Sequence, residues 1–162
     1  MRQTKPPRPR PDAFSRALGL LARREQSRRE LKDKLSRNGY ACDEVEDAID
    51  DAVERGYQDD DRFAGVLARS RAAAGYGPRR IAAELRSHGL KAGTIAAALA
   101  VIETDWLGQA RRQLERHYGR KPATEAAERA RRAAFLLRRG FDAATVGALT
   151  RAECGDPDDA FD

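Results

Sequence analysis

The chain has 162 residues and a net charge of +5, with 35% charged and 6% aromatic side chains. Together with a mean hydropathy of −0.73, these values describe wet surfaces over thin cores and exclude one large apolar interior. The longest apolar run, Ile95 to Ile102, is far too short for a membrane span, the basic N-terminus lacks an apolar signal segment, and two distant cysteines make no disulfide or zinc framework, so a cytoplasmic protein is expected.

Residues 1–11 carry Arg2, Lys5, Arg8 and Arg10 among four prolines and read as a disordered basic arm. From Asp12 the pattern is helical, with Phe14, Ala17, Leu18 and Leu21 three and four apart. Ser27 and Glu30 form a capping box that opens a second helix, buried through Leu31 and Leu35 and stopped at Asn38-Gly39. A third helix buries Val45, Ala48, Ile49, Ala52 and Val53. Its other face is acidic, from Asp43 to Glu54, and is expected to be either solvated or paired with a basic partner.

The same order then recurs. Asp59, Asp60 or Asp61 caps a helix with Phe63, Val66, Leu67 and Ser70 on one side. Gly75-Tyr76-Gly77 breaks the chain, and Pro78 opens the next helix, which buries Ile81 and Leu85 and stops at Gly89, with His88 beside the stop as a capping or surface residue. Ile95, Ala98, Leu99 and Ile102 mark its third helix. A further pass begins near Asp105 with Trp106, Ala110, Leu114 and Tyr118, breaks over residues 119–122, and continues through a helix ending at Arg139. A last short helix carries Val146 and Leu149.

Arithmetic fixes the register. Gly39-Tyr40, Gly89-Leu90 and Gly140-Phe141 lie 50 and then 51 residues apart, and at the same spacing Leu35 meets Leu85 and Leu136 while Val45 meets Ile95 and Val146. A period near 50 indicates a tandem array. The expected fold is therefore all-α, with three tandem three-helix bundle repeats at residues 12–57, 58–104 and 105–152 forming an elongated, curved array, followed by an acidic tail over residues 153–162.

Three blocks stand out: Leu20-Leu21-Ala22-Arg23-Arg24 with Ser27-Arg28-Arg29-Glu30-Leu31 and Leu35; then Asp60-Asp61-Arg62-Phe63-Ala64 and Gly75-Tyr76-Gly77-Pro78-Arg79-Arg80-Ile81 with Glu84-Leu85 and Gly89; and last Arg138-Arg139-Gly140-Phe141. In these residues the chain resembles the RecX family, the modulators of the RecA recombinase. The resemblance implies three tandem three-helix bundles that lie along the groove of a RecA filament on single-stranded DNA. It also implies that the protein bridges protomers and lowers strand exchange, ATP hydrolysis and coprotease activity. The arm and the acidic tail lie outside the resemblance.

Read for chemistry, the residues point away from catalysis. His88 and His117 belong to no metal-binding pattern, and no phosphate-binding glycine loop with its lysine occurs. Three aspartates in a row at a helix start are explained by capping and the macrodipole. No cofactor, metal or enzymatic activity is expected. The basic residues recur at equivalent junctions: Arg23, Arg24, Arg28, Arg29 and Lys32 around the first, Arg69, Arg71, Arg79, Arg80 and Arg86 around the second, and Arg131, Arg132, Arg138 and Arg139 around the third. Arginine forks suit carboxylates and phosphates alike. Of these, all but Arg131 and Arg132 join Tyr76, in a loop between basic residues, as the candidate contacts for a partner. Trp106, in apolar register, is expected in a core. A monomer acting on a recombinase filament is one reading; the alternative is a helical module that binds DNA directly and non-specifically, with an Asp59-centred nuclease as a weaker third.

Overall fold

The computed structural model describes residues 10–152. Among the described residues there are nine helices and no strand. They are α1 (Ala13–Leu21), α2 (Arg28–Arg37), α3 (Cys42–Glu54), α4 (Asp60–Ala73), α5 (Pro78–Ser87), α6 (Ala92–Ala100), α7 (Trp106–Tyr118), α8 (Ala126–Arg139) and α9 (Ala143–Ala152). The chain divides into two compact units, one ending at Phe63 and one beginning at Ala64.

In the first unit α1, α2 and α3 close around Ala17, Leu31, Leu35, Val45 and Ile49, with Leu20, Leu21 and Tyr40 against them. Asp12 caps α1 by accepting from the Ser15 amide at 2.7 Å, Ser27 caps α2 by accepting from the Glu30 amide at 3.1 Å, and Glu44 returns to the Ala41 amide at 2.8 Å ahead of α3. The Glu30 carboxylate of the expected capping box is engaged by Arg24 and Lys34. The end of the basic arm differs from its expectation. Arg10 lies 3.7 Å over the Tyr40 ring and donates to Asn38 O, and Tyr40 donates to Pro11 O at 2.6 Å. The rest of the arm, the acidic tail and Cys154 lie outside the described residues.

The second unit holds two bundles. Ile81, Leu85, Leu90, Ile95 and Ala98 are buried in the first of them. Ala110, Leu114, Leu136, Phe141, Val146 and Leu149 form the core of the other, with Trp106, Tyr118 and Phe135 packed against it. The 50-residue register holds at atomic level. Leu35, Leu85 and Leu136 are each fully buried, and Gly39, Gly89 and Gly140 all have φ between 80° and 89°. In each case the amide after the glycine returns to the carbonyl of the buried leucine. This is the helix ending that only glycine adopts without strain.

One helix face differs from expectation. In α4 the buried positions are Phe63, Ala64, Ala68 and Ala72, whereas Val66 and Ser70 are exposed. Alanines spaced by four let neighbouring backbone approach closely, so packing selects the small-residue stripe over the more hydrophobic one. Val53 at the end of α3 is likewise exposed.

The two bundles of the second unit meet through backbone. Gly77 N–H donates to Arg139 O at 2.8 Å, and Arg79 N–H donates to Gly140 O at 3.0 Å. A Cβ on Gly77 would overlap the Gly140 carbonyl group, one on Gly140 would overlap the backbone of Arg80, and one on Gly75 would overlap the buried Gln113 amide. Gly77→Ala should therefore destabilise the protein by about 2 kcal/mol or more. Gly19→Ala, at a helical site with open space, should be neutral or gain about 0.5–1 kcal/mol. Urea unfolding of the two variants separates the cases, and equal behaviour would contradict the close approach.

Candidate partner interface

In the first unit the basic cluster around residues 22–32 is largely tied to acids of the same unit. Arg24 and Lys34 both pair with Glu30, Arg28 pairs with Asp50 at 2.5 Å, and Lys32 pairs with Glu46 at 2.9 Å. Burial works to raise the Glu30 pKa, but its two cations outweigh it and hold the carboxyl below its usual range. The hydrogen bond to Glu46 raises the Lys32 pKa. Part of the acidic face of α3 is thus partnered by α2. Arg23 and Arg29 are exposed and make no ion pair with another described residue.

Beside this cluster lies a buried polar joint that the sequence pattern did not reveal. Gln26 and Gln58 are each 2% exposed. Gln26 donates to Leu20 O and accepts from Lys34; Gln58 donates to Gln26 O at 3.2 Å and to Asp60 at 2.9 Å. Asp60 also accepts the Arg28 amide, while Arg62 donates to Glu25, Gly56 O and Tyr57 O. Asp59 accepts from the amides of Asp61 and Arg62 and so caps α4. Asp59 and Asp60 thus hold helix and loop together, and among the described residues no group of three metal-ligating side chains forms.

The second unit draws the other candidates together. Arg71 grips Glu84 with two parallel bonds of 2.8 and 2.7 Å, from α4 to α5. Those bonds lower the Glu84 pKa and raise that of Arg71. Tyr76 is half-buried, with the Arg80 guanidinium 4.6 Å and the Arg139 guanidinium 5.5 Å from its ring centre. Arg80 also donates to Arg138 O at 3.3 Å, and Arg139 to Gly75 O at 3.4 Å. Arg71, Tyr76, Arg80, Ala83 and Glu84 line an open hollow. Tyr76 and residues some 60 positions later therefore form one constellation, in which Tyr76, Arg80 and Arg139 also hold the two bundles together.

Arg69, Arg79, Arg86 and Arg138 are exposed and form no ion pair with another described residue. Arg79, Ala83 and Arg86 recur at four and three along α5 and share one exposed stripe. The charge of Arg79 helps lower the pKa of Asp142, although the Thr145 amide is the larger cause. Arg132 is different again. It is 3% exposed, bonds to Lys121 O and Glu128, and lies 5.3 Å from the Tyr118 ring, so it secures the loop before α8.

Comparison with known proteins agrees with this architecture. The RecX first, second and third three-helix domains match residues 13–60, 59–99 and 103–148 in turn. Proteins described as "Regulatory protein RecX" from Xanthomonas axonopodis pv. citri and Stenotrophomonas maltophilia are each 45% identical to the chain. The first match covers 87% of both chains, and the second covers 89% of this chain and 86% of the relative. Among solved structures, RecX from Lactobacillus salivarius superposes with a TM-score of 0.71 at 19% identity, over 87% of this chain and 94% of its own. A structure described as regulatory protein RecX gives 0.74 at 21%, over 86% and 70%. These structural likenesses establish the fold.

The Arg71–Glu84 pair has a pH signature. Glu84 is held below its ordinary value of 4.5, so its contribution is complete above that pH and disappears as pH falls through the lower folded value. Both side chains are about a third exposed, which limits the effect to about 1 kcal/mol. The melting temperature of Glu84→Gln should lie below that of the parent at neutral pH and converge with it in acid. A gap independent of pH would contradict the assignment.

Proposed function

Because the chain belongs to the RecX family of regulatory proteins, we propose that it is a non-enzymatic regulator that binds the RecA filament on single-stranded DNA. It lies in the filament groove as a monomer in the cytoplasm. There it lowers recombinase, ATPase and coprotease activity by occluding incoming duplex and repressor and by restraining protomer motion. The observation that carries this reading is the match of all three RecX domains, in order, over residues 13–148. Contacts to two protomers at once would make binding bivalent and therefore selective for the filament over the free subunit.

The candidate contacts fall into two groups. Arg23, Arg29, Arg69, Arg79, Arg86 and Arg138 have guanidinium groups available for a carboxylate-bearing protomer surface. Arg24, Arg28, Lys32, Arg71, Tyr76, Arg80 and Arg139 already have partners within the chain and would act mainly by setting the shape of the surface.

The test exploits that division. Arg79→Ala with Arg86→Ala should raise the concentration needed for half-inhibition of RecA ATPase on single-stranded DNA about tenfold, with thermal stability unchanged. Unchanged inhibition by this folded variant would remove the α5 stripe from the interface. Failure of the parent protein to inhibit would remove the recombinase reading itself.

A further inference from the structure

Of the three repeats, the last carries most of the positive charge. Residues 12–57 carry nine basic and eleven acidic side chains, residues 58–104 seven and five, and residues 105–152 eleven and five. The last bundle is thus +6 while the first is −2. Within that bundle the cations surround an aromatic group. The His117 ring stacks on Phe135 with centroids 4.5 Å apart and planes 9° from parallel. Tyr118 stands edge-on to both, at 4.6 and 5.7 Å. The Arg139 guanidinium is 5.3 Å from the Phe135 centroid and 5.5 Å from that of Tyr76, which has Arg80 at 4.6 Å. Cation and ring therefore alternate from Arg80 to Phe135, and the series ends on His117, which is exposed at the C-terminal turn of α7.

We infer that this end of the series is a stacking surface for unpaired nucleobases, and that the third bundle binds single-stranded nucleic acid by itself. Three exposed arginines flank the stack with no ion pair to another described residue: Arg116, next to His117, and Arg131 and Arg138, which share a stripe of α8 with Phe135 at spacings of four and three. They supply the backbone contacts, and the exposed imidazole supplies a flat face already backed by a parallel ring. Single-strand sites combine these two features, since every base has a π-face and every linkage a charge. An acidic protein surface would need the guanidinium groups but has no use for a solvent-facing, pre-stacked ring. Duplex DNA, with its bases paired, offers no free base face. The inference concerns the protein without recombinase and stands or falls independently of the filament reading.

The test uses the full chain and two fluorescently labelled strands of equal length, oligothymidylate and an abasic strand with the same phosphates, followed by anisotropy. The parent should bind oligothymidylate several-fold more tightly than the abasic strand. His117→Ala should lose about five- to tenfold on oligothymidylate and little on the abasic strand, and His117→Tyr should restore the preference. Arg131→Ala with Arg138→Ala should weaken both strands alike and reduce the dependence of log affinity on log salt by about 1.4. His117 is exposed, so folding should survive its replacement, and circular dichroism verifies this. Equal affinity of the parent for both strands would overturn the inference. So would a His117→Ala variant that binds both strands normally yet inhibits the recombinase less, which would assign the surface to a protein partner.

Discussion

Two residues without side chains decide how the second unit is built. Gly77 and Gly140 bring the turn between α4 and α5 and the end of α8 into backbone contact, closed by two amide-to-carbonyl bonds. At that separation any Cβ overlaps main chain, which cannot move aside as a flexible side chain can. The positive φ of Gly140 compounds the restriction. Once the backbones meet, Tyr76 is carried between Arg80 and Arg139, and the buried Gln113 fills the space over Gly75. A glycine pair that looks like simple punctuation between helices is therefore also the socket for the following bundle.

The first unit solves a similar problem with different chemistry. There the loop after α1 meets the start of α4 through side-chain amides and carboxylates: Gln58 on Gln26, Asp60 on the Arg28 amide, and Arg62 on Glu25. Buried amides of this kind have few ways to be satisfied, so the joint specifies one geometry. In the second unit Gln109, reaching Ala72 O, occupies the position 51 residues after Gln58. The opening helix of the next repeat meets the preceding repeat through side-chain polar contacts in both places, and in the second the end of α8 adds close backbone contact.

This construction changes the meaning of the arginine clusters. Arginines on a basic protein are usually counted as binding groups, yet several of these spend their guanidinium groups internally. Arg71 is bound to Glu84, Arg132 to a loop carbonyl and Glu128, and Arg28 to Asp50. Exposed ion pairs contribute little to stability, so their main consequence is to direct the remaining side chains. That leaves a smaller set of exposed guanidinium groups with no ion pair to another described residue, including Arg79 and Arg86 on α5 and Arg116, Arg131 and Arg138 on the last bundle.

The repeats, the helix order and most of the core were legible from residue spacing, because a leucine, a helix-stopping glycine and a β-branched residue recur together every 50 or 51 positions and each reflects local backbone geometry. The α4 face was not legible, because hydropathy favoured Val66 whereas close packing favoured alanines. The polar joint around Gln26 left only the 51-residue spacing of Gln58 and Gln109, and the stack of His117 on Phe135 left no periodic trace. Sequence by itself determined what each segment does over one or two helical turns, since hydrogen bonding and capping there are local. Only the tertiary structure decided which arginines are already bound and which glycines must touch, because those contacts join residues tens of positions apart, where the order of the chain carries no distance.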